Sequence, residues 1–306
     1  MSQSDSEFLR ETTAVPDPVG PGRYRLELSN DWVVAEVPQG GVVTAAAARA
    51  MAAYLGREDQ VLRSISAVFA GLVRPGPVEI DVTVLRRGRS LSQLSATVRN
   101  VGAEAGLTAL AVFGATRPGF EFTDVTYPEV DAPDACPSFR DPPPEDVPEH
   151  RMSVSPFWSR VEGRPAVGHA PWERWVPTTS KTAYWYRFDQ PPVDGQGRLD
   201  PLALVVLCDT MPGSVGERMG GTDVEWFGPS ADLTVHVVGT ASAGWVLARG
   251  RARHAGDGYA SIELELWDPD RRALVAYGTQ QMYFQFFGDP PTGEQRRPRT
   301  SLSPSA

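Results

Sequence analysis

Several residue types and patterns are scarce in this sequence, and each scarcity removes a class of function. Two cysteines, Cys136 and Cys208, are far apart in 306 residues, which gives neither the paired spacing of a zinc site nor a disulfide framework. Only four histidines occur, His150, His169, His236 and His254, so the usual acid–base and metal chemistries have little to draw on. Positive charge is short as well. With 29 Lys and Arg against 38 Asp and Glu the formal charge is −9, the opposite of the basic footprint that nucleic-acid phosphates require. The same deficit means that any cationic docking patch for an anionic ligand has to be local. No apolar run outlasts Leu202–Cys208, far short of the ~20 residues of a membrane-spanning helix. The polar start MSQSDSEFLRE lacks the charged-then-apolar pattern of a secretory leader, so a cytoplasmic location is expected. No Gly-x-Ser-x-Gly elbow occurs, which disfavours the α/β-hydrolase form of nucleophilic catalysis. The expectation is a protein with no nucleic-acid partner, no membrane span, no metal and no cofactor.

What is present is a chain that is 41% hydrophobic, enough for a sizeable core in two domains or one large one. Tyr24, Leu26 and Leu28 alternate with charged residues, and Ser29-Asn30-Asp31 supplies turn chemistry before Trp32-Val33-Val34, a hairpin pattern. Gly40-Gly41 opens VVTAAAARAMAAYL, which Gly56 closes; this predicts a buried helix, apolar nearly all round. Val78, Ile80, Val82 and Val84 then alternate with polar residues, and segments near 91–99 and 107–116 complete an antiparallel set. A lone buried helix needs cover on most sides, so the sheet should wrap around it.

Residues 117–182 are rich in Pro and polar groups and read as a connector, with Trp158, Trp172 and Trp175 as signs that part of it packs on a domain. The grammar then repeats. Tyr184–Phe188 reads as a strand, and Asp200-Pro201 caps LALVVLC as a helix that Met211-Pro212-Gly213 ends. Strands follow near 230–238, 245–253, 262–266 and 274–284. Placing Ser64 on Ser230 and Gly88 on Gly256 superposes the two strand patterns. The copies are residues 20–116 and 183–287, with 1–19 and 288–306 expected to be disordered tails.

Two stretches carry a family resemblance. FAGLVRPGPVEIDVTVLRRGRS (69–90) resembles the Arg-Pro-Gly hairpin and Leu-Arg-x-Gly-x-Ser turn of type II acyl-CoA thioesterases. SADLTVHVV (230–238), HAGDG (254–258), ELWD (265–268) and Gln280 are similar to the C-terminal half of thioesterase-like double-hotdog proteins. The resemblance implies an α+β double hotdog, two tandem units each with an antiparallel sheet around a central helix. It also implies a catalytic Asp, Ser or Thr, and Gln, which fall on Asp209, Ser230 and Gln280, with Gln281 one residue away from the last. Where the commonest family version has Asp-His after the hydroxyl, this chain has Asp232-Leu233.

Asp209 follows seven apolar residues at a helix C-terminus, where the macrodipole disfavours a carboxylate by roughly 0.3–1 kcal/mol. Partial burial there raises a carboxyl pKa and suits a general base; a solvated aspartate capping a turn is the bland alternative. Gln280 could hold a water beside it or be an ordinary strand glutamine. Strand parity places Ser230, Asp232, Thr234 and His236 on the face away from the helix, with Leu233, Val235 and Val237 on the other. Ser230 is then either a seam residue or a turn serine.

The expected activity is hydrolysis of an acyl-CoA or related acyl thioester, in lipid metabolism. Asp209 would activate water held by Gln280 and Ser230, and backbone N–H groups of Gly40 and Gly41 would bind the substrate oxyanion. The first copy has only Arg49 as a charge in its helix, so one site per chain is expected. The rivals are a non-catalytic acyl-thioester-binding or scaffold hotdog protein, and a hotdog enoyl-CoA hydratase or dehydratase. A resemblance to the hydratase family would imply an aspartate paired with a histidine five residues on, and Ser214 stands at that place after Asp209, which disfavours the latter. Open sheet edges leave room for a homo-oligomer.

Overall fold

The alternating runs form strands and the alanine-rich segment forms a helix in the computed structural model, which describes residues 6–142, 145, 155–170, 172–220, 224–298 and 300. The first half comprises α1 (Glu7–Thr12), β1 (Val15–Pro16), β2 (Arg23–Leu28), a ribbon of β3 (Val33–Val34) and β4 (Val37–Pro38), α2 (Gly40–Leu55), β5 (Val61–Phe69), β6 (Gly76–Arg86), β7 (Leu91–Asn100) and β8 (Leu107–Gly114). The second comprises β9 (Val161–Val167), β10 (Lys181–Phe188), α3 (Pro201–Cys208), α4 (Gly213–Met219), β11 (Trp226–Phe227), β12 (Asp232–Val237), β13 (Val246–Gly256), β14 (Tyr259–Asp268), β15 (Ala273–Tyr283) and β16 (Gln285–Phe286).

One antiparallel sheet of 12 strands results, in the order β1-β2-β6-β7-β8-β5-β12-β15-β14-β13-β10-β9. The order reads as a palindrome about the β5–β12 pair, where Ser66 faces Thr234. This is a pseudo-two-fold between two hotdog units, as expected. It shifts the internal match, however. Leu62 faces Phe113 next to a register irregularity as Ser230 faces Met282, so Leu62 rather than Ser64 is the counterpart of Ser230.

α2 packs on β5 to β8, α3 on β12, β14 and β15, and the two helices pack on each other. Ala45 to Ala48 are at most 1% exposed, and their small side chains let the helices approach. Gln39 caps α2 by accepting the Val42 N–H at 3.1 Å, and Gly56 ends it in the left-handed conformation, φ 62°. The helices run antiparallel: Gly41 reaches Asp209 at one end, and Arg49 donates to Asp200 at 2.6 Å toward the other.

Several local expectations are corrected by long-range contacts. Trp32-Val33-Val34 does not return on β2; Val33 and Val34 pair with Pro38 and Val37, while β2 pairs with β1 and β6. Residues 7–12 are helical rather than disordered, because Phe8 is fully buried between Trp32 and Phe188 at 5.8 and 5.9 Å. The connector contains β9, the outermost strand beside β10, and Pro165 fits there because an edge strand can lack a ladder donor. In the tail, Gly293–Arg296 form one 3-10 turn. A further helix, α4, follows the Pro212 stop.

Candidate active site

Asp209 is the C-cap of α3, where its own helix dipole opposes a negative charge. The other unit supplies the compensation. The N-terminus of α2 faces the carboxylate, and the Gly41 N–H donates to Asp209 Oδ2 at 2.8 Å. Only glycine permits this approach. A Cβ on Gly41 would lie 2.8 Å from Val206 Cα and 2.9 Å from Val205 O; one on Gly40 would lie 2.7 Å from Phe69 Cε1 and 3.0 Å from Asp209 Oδ2. Gln39 fixes the spacing by donating to Val206 O at 2.9 Å.

β15 brings Gln280 to the other carboxylate oxygen. Its side chain is 2% exposed, and Nε2 donates to Asp209 Oδ1 at 2.5 Å and to Ser230 Oγ at 2.7 Å. Ser230 Oγ in turn donates to Asp209 Oδ1 at 3.1 Å. The three expected residues therefore meet in a closed triangle of hydrogen bonds. Nε2 must point this way, because the amide oxygen would repel the carboxylate. Gln280 Oε1 is thereby left buried with no hydrogen-bond partner among the described residues.

Burial pushes the Asp209 pKa up from 3.8 to about 6, against the pull of the Gly41, Gln280 and Ser230 hydrogen bonds and the Gly40 amide. Desolvation wins because a half-buried charge loses more in hydration than three or four donors return.

Ser230 does not follow the parity of β12. Its bridge to Met282 is one residue out of step with the Thr234–Thr279 pairing, and this slip turns the hydroxyl inward. Gln281 accepts from Ser261 Oγ at 2.6 Å, so Gln280 and not Gln281 is the glutamine that meets Asp209. Asp232 accepts the Gln281 N–H at 2.7 Å, outside the triangle. His236 stacks on Tyr277 at 4.7 Å, and the hydroxyl of Ser230 is bonded to Asp209 and Gln280 instead of a histidine. Ser214 is buried against Thr182 at 2.9 Å. One expectation is revised: the Gly41 N–H does not point at an oxyanion, because the carboxylate takes it. Sequence reasoning missed Gln39 and Phe69 as supports of this seam. The signal available was a polar N-cap before two glycines that helix propensity alone disfavours.

Residues 28–114 match the acyl-CoA thioesterase N-terminal domain, and residues 133–284, reaching back into the expected connector, match the acyl-CoA thioesterase C-terminal domain. Among solved structures, a hot dog fold protein from Alicyclobacillus acidocaldarius is 24% identical, covering 92% of this chain and 98% of its own, with a TM-score of 0.74. An acyl-CoA thioesterase II from Mycobacterium marinum is 17% identical, covering 91% of this chain and 98% of its own, with a TM-score of 0.66. At these identities the two likenesses establish the fold. A search of curated proteins returned no match. Two adjoining domain matches over a palindromic double-hotdog sheet identify the chain as a member of the acyl-CoA thioesterase family.

Proposed function

We propose that this protein hydrolyses acyl-CoA, or a related acyl thioester, to free acid and thiol with Asp209 as general base. The observation that carries this is a half-buried carboxylate held by Gln280 and Ser230, beside an amide oxygen with no hydrogen-bond partner among the described residues; burial there raises its pKa to about 6. Gln280 Oε1 and the carboxylate offer acceptors for the two protons of one water, leaving its oxygen lone pairs free to attack the thioester carbon. The proton passes to Asp209, the C–S bond breaks, and the thiolate leaves and is protonated. Gly40 and Gly41 act on the carboxylate, keeping enough of it ionised near neutrality to accept that proton. The same proposal gives the chain a cytoplasmic place in lipid metabolism.

Thiol release measured over short, branched, aromatic and long acyl-CoAs tests the activity. Binding without release from any of them would turn the proposal into an acyl-thioester-binding protein. The reaction also has an expected pH dependence. A base must be deprotonated, so kcat should rise with pH through about 6 and level off above it. A flat profile from pH 5 to 8 would exclude Asp209 as the titrating base.

Gln280→Leu removes two hydrogen bonds, one of which holds the Asp209 pKa down. Bonds to charged groups contribute about 1.5–3 kcal/mol, so turnover should fall by roughly 10- to 100-fold. The midpoint of the pH profile should move above 6. A loss of turnover with an unmoved midpoint would assign Gln280 to the substrate and not to the carboxylate.

A further inference from the structure

The pseudo-two-fold gives every group at one end of the helix pair a counterpart at the other. Counted from the N-caps Gln39 and Asp200, Ala48 stands where Asp209 stands. Leu62, opposite Phe113, takes the place of Ser230 opposite Met282, and Ala111, two residues before Phe113, takes that of Gln280. Three apolar side chains replace the three polar ones. The Asp209 carboxylate, the Ser230 hydroxyl and the Gln280 amide thus have no counterpart at these three positions, and the Asp200 carboxylate at this end is held by Arg49, but the space remains. A wide-mouthed cavity of about 490 Å³, open to the surface, is lined by Ala48, Ala52, Gln60, Leu62, Phe113 and Leu202 among others.

Two properties define what this cavity suits. Its cations are already neutralised, Arg49 by Asp200 at 2.6 Å and Arg57 by Asp59 at 2.9 Å, and Glu58 adds a negative charge at the rim. It has no surplus charge for a free carboxylate or a phosphate. Gln60, 4% exposed, donates Nε2 to Gly88 O at 3.0 Å and Arg89 O at 3.2 Å, while its Oε1 is buried with no hydrogen-bond partner among the described residues. A buried acceptor of this kind is disfavoured until an N–H or O–H meets it. The fitting ligand is neutral, with an apolar chain and an amide N–H.

We propose that this cavity binds the acyl-pantetheine portion of a second acyl thioester and does not hydrolyse it. The identity of the ligand rests on the thioesterase proposal; pantetheine is uncharged and carries two amide N–H groups. One chain then holds a hydrolytic site at the Asp209 end and a silent site for the same chemical group at the Arg49–Asp200 end.

S-octyl-pantetheine, a thioether that cannot be hydrolysed, is the probe, titrated calorimetrically into the full chain. Two equivalents should bind. Ala52→Trp, and independently Val61→Trp at a position 48% exposed, place an indole in the cavity away from the catalytic residues. Each variant should bind one equivalent and keep kcat/KM on acyl-CoA within about twofold of the parent, a barrier change of ~0.4 kcal/mol. A single equivalent in the unsubstituted chain, or two in both tryptophan variants, overturns the proposal. Hydrolysis of acyl-CoA is measured separately: its absence counts against the role of Asp209, whereas the binding stoichiometry alone decides the second site.

Discussion

Asp209→Asn is expected to lower turnover of a good acyl-CoA by about 10²- to 10⁴-fold, the usual loss when a general base is removed, and to leave the protein at least as stable at pH 7. The stability half follows from linkage. The folded pKa of about 6 lies above the ordinary 3.8, so the native state binds the proton more tightly than the unfolded chain does. Burying the charge therefore disfavours the native state fully above pH 6, and the penalty fades as pH falls through 6 toward 3.8. The displacement corresponds to at most about 3 kcal/mol at pH 7. Asparagine removes the charge but sets a donor NH₂ against the Gly41 N–H or the Gln280 amide, a cost of about 1–3 kcal/mol that offsets much of the gain. The variant should therefore melt level with or slightly above the parent at pH 7 and below it near pH 3.5. Thiol-release kinetics and calorimetry at the two pH values check both halves. Undiminished turnover would remove Asp209 from the mechanism, and a lower melting temperature at pH 7 would mean that the carboxylate stabilises the fold.

Gly41→Ala should lose stability and activity together. The new Cβ meets Val206 Cα at 2.8 Å, Val205 O at 2.9 Å and Gln39 Oε1 at 2.8 Å; two of these are backbone atoms of the facing helix that cannot rotate away. Relief requires α2 and α3 to separate, an overpacking strain of about 1–3 kcal/mol. Separation also draws the Gly41 N–H off Asp209 Oδ2 and weakens the pull that keeps the carboxylate ionised. Activity at pH 7 should fall roughly tenfold or more, with the pH midpoint moving upward. Gly40→Ala separates the two effects. Its Cβ meets the Phe69 ring and the carboxylate oxygen itself, not the backbone of α3, so it should reduce turnover more than stability. Equal unfolding midpoints for Gly41→Ala and the parent would show that the helix seam is not tightly packed.

The two expectations that depended on parity and on local pairing show where sequence patterns stop. Strand alternation turned Ser230 away from the helix, whereas a one-residue slip between β12 and β15 turns it in. Turn chemistry joined Trp32 to β2, whereas Trp32 packs with Phe8 and Phe157, far apart in sequence. Neither a slip opposite a distant strand nor a partner 125 residues away leaves a mark in a short window of residues. Gln280 and Gln281 could not be told apart for the same reason: a single residue of register decides which faces the core.

The sequence by itself determined the duplicated plan, the buried alanine-rich helix, the capped apolar α3 and the aspartate ending it, because periodicity, helix propensity and capping act within one or two turns of chain. It also determined that only one half carries an acidic group at that place. The resemblance grouped Ser230 and Gln280 with Asp209, but only tertiary structure decided the contacts around the carboxylate. The N-terminus of α2, Gln280 and Ser230 reach it from 168, 71 and 21 residues away. Desolvation and hydrogen bonding depend on distance in space, so the pKa of about 6 on which the proposed chemistry depends exists only when the two hotdog units close on each other.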